Sequence, residues 1–173
     1  RHLKLLCRKN GNAFQALLFG MNVQQFCFNE GDVVDLAVTL DSNQYQGHYN
    51  LSIQIKDIKM SDINQDLYFA DKQNFDDFVS GVLKNYATVF PSREAVGSVY
   101  KMIMASPVKY ERLKYLNTEY GYAKTQIAVK TLCELGLVSL DSGILVGHTA
   151  QQKSDLMQSA TYKKIYERVN QGE

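Results

Sequence analysis

Three histidines, His2, His48 and His148, stand far apart in a chain of 173 residues, with no HxxxH, no His–Cys pair and no Asp–His–His run. A hydrolytic metal centre needs ligands at such spacings, so none of the three is read as a ligand. The densest carboxylates are Asp71, Asp76 and Asp77. Adjacent residues on a helix point about 100° apart, and acids near a helix start are favoured by its dipole, so this group reads as helix-stabilising. Neither a Gly-rich phosphate loop nor GxSxG occurs. The residues therefore offer no catalytic group and no metal site. They offer a better case for binding. Arg1, His2, Lys4, Arg8 and Lys9 are met before any acid, the first being Glu30. On a strand whose odd positions are buried, His2, Lys4 and Arg8 share the outer face, and Lys9 extends the basic run. Phe19, Tyr45 and Tyr49 fall near strand ends, where unpaired bases stack on aromatic rings. Lys56 falls on the polar side of a later strand, with Asn50, Ser52 and Gln54. The competing reading is that the basic residues decorate a solvated strand and the aromatics fill the core.

The elements that position these residues change character along the chain. Period-2 alternation, the mark of half-buried strands, runs over His2–Arg8, Phe14–Phe19, Val33–Leu40 and Tyr49–Ile58. Asn10-Gly11-Asn12 signals a hairpin turn, Asn22–Asn29 fits either a short helix or a loop, and Asp41–Gly47 reads as a polar turn region. Four short strands with a brief interruption fit a small closed barrel of the OB type over residues 1–60. Residues 61–74 are polar and mixed, and read as a linker.

From residue 75 to 173 the pattern is helical. Phe75, Phe78, Val79, Val82 and Leu83 form an apolar stripe. Ser92 is a helix cap for a helix to about Met104, a further helix is expected over 109–120, and a third over 125–135 stops at Gly136. Two short apolar runs around Asp141-Ser142-Gly143 then form a hairpin, and an amphipathic helix closes the chain over 153–169. Three helices followed by a hairpin is the winged-helix arrangement, so the fold class expected is α+β in two domains, an OB-like barrel and a winged-helix-like domain. Lys124, Thr125, Gln126 and Lys130 are the polar positions of the third helix, which in DNA-binding versions lies in the major groove. Winged helices also serve as protein-contact modules. Two lysines make a thin electrostatic footprint, and Tyr110, Tyr115, Tyr120 and Tyr122 suit a protein interface, so protein contact is the preferred reading for this half.

Composition bounds the answer. With 45% hydrophobic and 21% charged residues the chain is an ordinary globular one, and a formal charge of +1 excludes a purely electrostatic nucleic-acid binder. Cys7, Cys27 and Cys133 are scattered among apolar residues, which reads as buried thiols in a reducing cytoplasm. The sequon Asn50-Leu51-Ser52 is discounted as a chance match. No apolar run reaches the ~20 residues of a membrane span, and no signal-peptide layout is present. The expectation is a soluble cytoplasmic protein. The opening on Arg1, directly into an alternating pattern, reads as a piece of something longer.

The stretch "RHLKLLCRKNGNAFQALLFG" followed by "GDVVDLAVTLDSNQYQGHYNLSIQIKDIK" resembles the OB domain that follows the catalytic core of RecJ exonucleases. The resemblance is carried by the HLKL opening, the FG that closes the second strand, the Asn-x-Tyr-x-Gly turn (Asn43, Tyr45, Gly47) and the ending Gln54, Asp57, Ile58. The remainder, with "FPSRE", "LCELGLV" and "KSDLMQSATY", is similar to the C-terminal domain of one bacterial branch of that family. The resemblance implies a 5′ to 3′ exonuclease on single-stranded DNA, acting in recombination and repair, with Mn or Mg held by aspartates and histidines of DHH-type domains. Those motifs are absent here, so the implied role is accessory: a non-catalytic region whose barrel guides single-stranded DNA and whose C-terminal domain meets single-strand-binding protein or another repair partner.

Overall fold

The structure, a computed structural model, describes residues 1–45, 47–115, 118–150 and 154–172. Its first hairpin follows directly from two turn residues. Asn10 (φ 52°) and Gly11 (φ 79°) both take left-handed backbone, the geometry of the two-residue loop whose twist suits flanking strands. They join β1 (His2–Lys9) to β2 (Asn12–Phe19) in full antiparallel register, from His2 opposite Phe19 to Lys9 opposite Asn12. Residues 21–33 form turns without regular structure. β3 (Val34–Tyr45) then pairs antiparallel with β4 (His48–Met60), and β4 runs parallel to β2 through Leu17–Gln54 and Leu18–Ile55. A register shift between Ala37 and Val38 leaves Lys56 as the unpaired residue of a bulge.

Two sequence expectations need correction here. The strand continues through 41–45, where a polar turn region was expected, because the ladder pairs Asp41 with Ser52 and Asn43 with Asn50 whatever their polarity. The sheet is also open rather than closed. Its order is β1-β2-β4-β3, so among the described residues β1 and β3 are edges. Alternation along a strand encodes which face is buried but not which edge is paired, so the sequence pattern could not distinguish the two. The core of this sheet is small: Ala16, Leu18, Ile55 and Ile58, with Cys27 and Phe28 from the turn segment.

The chain divides into two compact units, Arg1–Asp62 and Ile63–Glu173. In the second, helix α1 (Gln65–Ser80) begins behind Asn64, whose side chain accepts from the Leu67 amide. Most of the expected linker is therefore helix. α2 (Arg93–Ala105) is capped by Ser92. The helix expected over 109–120 is instead a two-residue strand, β5 (Val108–Lys109), and a 3-10 turn over Tyr110–Lys114, because Val108 and Lys109 pair with Leu145 and Ile144. α3 (Tyr122–Glu134) leads into β6 (Val138–Asp141) and β7 (Ile144–Gly147), joined by Ser142 and Gly143 with left-handed backbone. The resulting three-stranded sheet has the order β5-β7-β6. α4 (Ala160–Asn170) closes the unit. α3 is the hub. Val129, Leu132 and Ala128 pack with Val96, Ile103, Leu145 and Tyr162, while Ala123 and Ile127 pack with Phe78, Val89 and Ile165. A mixed sheet in one unit and helices around a small sheet in the other make the chain α+β.

Candidate nucleic-acid interface

Residues opposite one another in a ladder project from the same face of a sheet. Leu3, Leu5 and Cys7 therefore share a face with Leu18, Ala16 and Phe14, and Ala16 and Leu18 are buried. The other face carries His2, Lys4, Leu6 and Arg8, all exposed, opposite Phe19, Leu17, Gln15 and Ala13. Phe19 is 55% exposed, and its ring lies 5.9 Å from the His2 imidazole at a tilt of 46°. Leu17 also pairs with Gln54 of β4, so Lys4, Leu17 and Gln54 form one row across three strands. Continued by two residues, the same parallel register sets exposed Lys56 level with Phe19. The outer face thus gathers an aromatic pair, two cationic side chains on β1 and a third on β4. It can cradle a polyanion with flat bases.

Not every expected residue joins this face. Lys9 is exposed but sits opposite Asn12 on the side away from Arg8. Its charge acts instead on Asp35: the hydrogen bonds from Lys59 and Ser61 hold that carboxyl below its usual range, and the charges of Lys59 and Lys9 add to the effect. Asn43 and Tyr45 lie in β3 opposite Asn50 and His48, and their side chains fall outside the described residues. Leu6 and Leu17 were missed as parts of the face, and the ladder register is what reveals them.

In the second unit the expected contact surface on α3 is mostly core. Thr125 is 1% exposed and its hydroxyl donates to the Gly121 carbonyl at 2.7 Å, with the Thr118 hydroxyl also at 2.7 Å. Gln126 is 3% exposed and its Oε1 accepts from the Tyr110 hydroxyl at 2.7 Å. A helix whose polar residues are so enclosed cannot lay them in a major groove. Lys124 is half-buried, and exposed Lys130 stands 3.9 Å from Glu134. The tyrosines are likewise engaged. Tyr122 meets Tyr68 and Phe75 edge-on, and burial, aided by neighbouring tyrosines and acids, pushes its hydroxyl up to about 12.

What this unit does offer is a groove of about 1050 Å³ over one face of α3. Phe78, Val79, Val129, Cys133 and Leu140 line it together with Lys130 and Lys164, and among the described lining residues there is no carboxylate. The remaining candidates for chemistry are structural. Asp71 accepts from the Ala123 amide at 2.8 Å, capping α3 from a different helix. His148 bonds Ser139 at 2.7 Å. No group of three or more His, Cys, Asp or Glu that could hold a metal occurs among the described residues.

The face on β1, β2 and β4 belongs to a stretch with a recognisable relative. Residues 1–57 match the family model of the RecJ OB domain. The RecJ-type OB match covers β1, β2 and all of β4 but its last three residues, and stops before α1. No curated protein matches the chain. No solved structure matches it either. No helix among the described residues is long and apolar enough to cross a membrane.

Proposed function

We propose that the first unit binds single-stranded DNA as a non-catalytic accessory region of a RecJ-like 5′ to 3′ exonuclease acting in recombination and repair. The observation that carries this reading is the outer face of β1: Lys4 and Arg8 stand on it four residues apart, roughly 13 Å along a strand, with the exposed His2–Phe19 pair at its end. Cations spaced along a strand track phosphates, and an exposed ring receives a base at a cost in sequence specificity that suits a nuclease of broad substrate range. In this reading hydrolysis, with its Mn or Mg, is the work of the DHH-type domains of such an exonuclease, and the protein acts in the cytoplasm.

Fluorescence anisotropy of a labelled single-stranded oligonucleotide, titrated at low and moderate salt, tests the proposal. Affinity should fall with salt by a slope of about 0.7 per phosphate neutralised. The double variant Lys4→Ala, Arg8→Ala should lower that slope by about 1.4. Binding unaffected by the double variant would remove these residues from the interface.

A second reading concerns the other unit. The winged-helix-like order of α2, β5, α3, β6 and β7 is here a protein-contact module, and the enclosure of Thr125 and Gln126 favours that over groove insertion. The groove over α3, apolar with Lys130 and Lys164, suits an apolar, acidic segment of a partner such as single-strand-binding protein. Immobilised chain should capture that protein, and Lys130→Glu with Lys164→Glu should weaken capture.

A further inference from the structure

The groove over α3 contains a hydrogen-bond donor with nothing to bond. Gln126 belongs to the wall of the groove and is 3% exposed. Its Oε1 accepts from the hydroxyl of Tyr110 at 2.7 Å, and Tyr110 lines the groove as well. Burial raises the pKa of Tyr110, so the hydroxyl keeps the proton that it donates. The other half of the amide, Nε2, is enclosed and has no partner among the described residues. Among those residues one further buried side-chain polar atom is in that state, the Thr131 hydroxyl oxygen, and Thr131 does not line the groove. A buried donor left unbonded keeps the full cost of leaving water. Native folds retain few such groups, and each calls for a cause.

The surroundings of Gln126 decide what acceptor completes it. Phe78, Val129 and Leu140 make the groove apolar, so a carboxylate set against Nε2 would lose its hydration for a single neutral donor. A neutral carbonyl oxygen is the better match. Carboxylates belong instead with Lys130 and Lys164, which are exposed and line the same groove. A partner helix has its main-chain carbonyls bonded within itself. A segment that offers one is therefore extended.

We propose, resting on the reading of this groove as a protein-contact surface, that Gln126 recognises an extended, apolar and acidic peptide segment by donating from Nε2 to one of its main-chain carbonyls. Apolar side chains of the segment then lie on Phe78, Val129 and Leu140, and its carboxylates at Lys130 and Lys164. Because Nε2 is enclosed, the carbonyl reaches it only as the side chains over it part. A partner held at the rim by charge alone leaves Gln126 unbonded, so this residue separates a seated segment from a merely acidic one.

The whole chain is titrated into a short, end-blocked, fluorescein-labelled peptide that alternates leucine with aspartate, and binding is read by anisotropy. Tyr110→Phe with Gln126→Leu removes both members of the hydrogen-bonded pair. This double variant should weaken peptide binding about tenfold and leave Tm unchanged or raised, because replacing both partners by apolar groups is close to neutral for stability. In nuclear magnetic resonance, the side-chain amide protons of Gln126, assigned by their loss in the variant, should move downfield when the unaltered chain is saturated with peptide. Lys130→Glu with Lys164→Glu tests the groove itself and should also weaken binding. Binding that the charge reversal weakens but the apolar pair leaves intact, or Gln126 protons unmoved at saturation, would overturn the role of Gln126 and keep the groove. No binding to the unaltered chain, or binding indifferent to the charge reversal, would overturn both. If the apolar pair lowers Tm, the proton shift in the unaltered chain decides.

Discussion

Phe19 illustrates how much a single position depends on its ladder partner. An exposed phenylalanine at a strand end is unremarkable by itself, since apolar atoms make up much of any protein surface. Its placement opposite His2, on the face that carries Lys4 and Arg8, gives it a use. Truncation separates the two roles a ring can have. Phe19→Ala should weaken single-stranded DNA binding by about 1–3 kcal/mol per stacked base, while thermal stability changes less than for a core ring because Phe19 is 55% exposed. A fall in Tm without a fall in affinity would return Phe19 to a structural role. The same scale explains the misplaced Thr125. A threonine between lysine and glutamine on a helix reads as solvated, and nothing in the sequence shows that its hydroxyl is satisfied by Gly121 and Thr118 within the core.

The start of α3 is held by another helix of the second unit. Asp71 on α1 caps α3, and a Cβ at Gly121 would stand 2.6 Å from its Oδ2 in a backbone of φ +80°. Gly121→Ala should therefore cost about 2 kcal/mol in chemical denaturation. Asp71→Ala should cost about 1 kcal/mol through the lost cap. This tie is also why the part of α1 before Phe75 escaped sequence reading: Tyr68, Asp71, Phe75 and Phe78 share its inner face, and an aspartate there breaks the apolar period that marks a helix. The two-residue hairpins were legible because Asn-Gly and Ser-Gly tolerate the left-handed backbone their turns require. Where a strand stops, or which of its edges is paired, has no such local chemistry.

Glu134 makes the corresponding tie between α3 and α4. Its carboxylate accepts from the Ser159 hydroxyl at 2.6 Å and from the Thr161 amide at 2.9 Å, and from the Thr161 hydroxyl as well. Burial raises its pKa, but the hydrogen bonds from Ser159 and Thr161, with Lys130 nearby, outweigh that and leave it lowered. A depressed carboxyl stabilises the fold above its unfolded pKa of about 4.3 and loses that contribution as pH falls through the lower folded value. Tm should thus drop on acidification below about pH 5. Glu134→Gln should lower Tm at neutral pH, by about 2 kcal/mol of stability, and flatten the acid limb. An unchanged limb would assign it to other carboxylates.

For the whole molecule the decisive contrast is in how much each unit encloses. The first buries a short set of apolar residues and leaves Val38, Leu40, Leu51 and Tyr49 exposed on its core face, whereas the second surrounds α3 on several sides. Stability grows with apolar area removed from water, at about 25 cal/mol per Å², and small units with incomplete cores are marginal. The two units should therefore not open together. In native-state hydrogen exchange, amides of β1–β4 should exchange at least about tenfold faster than those of α2 and α3. Thermal unfolding followed by exchange should show the sheet of the first unit lost at a temperature at which the second remains protected. Equal protection and a single transition would mean that the four-stranded sheet is stabilised by something other than its own core.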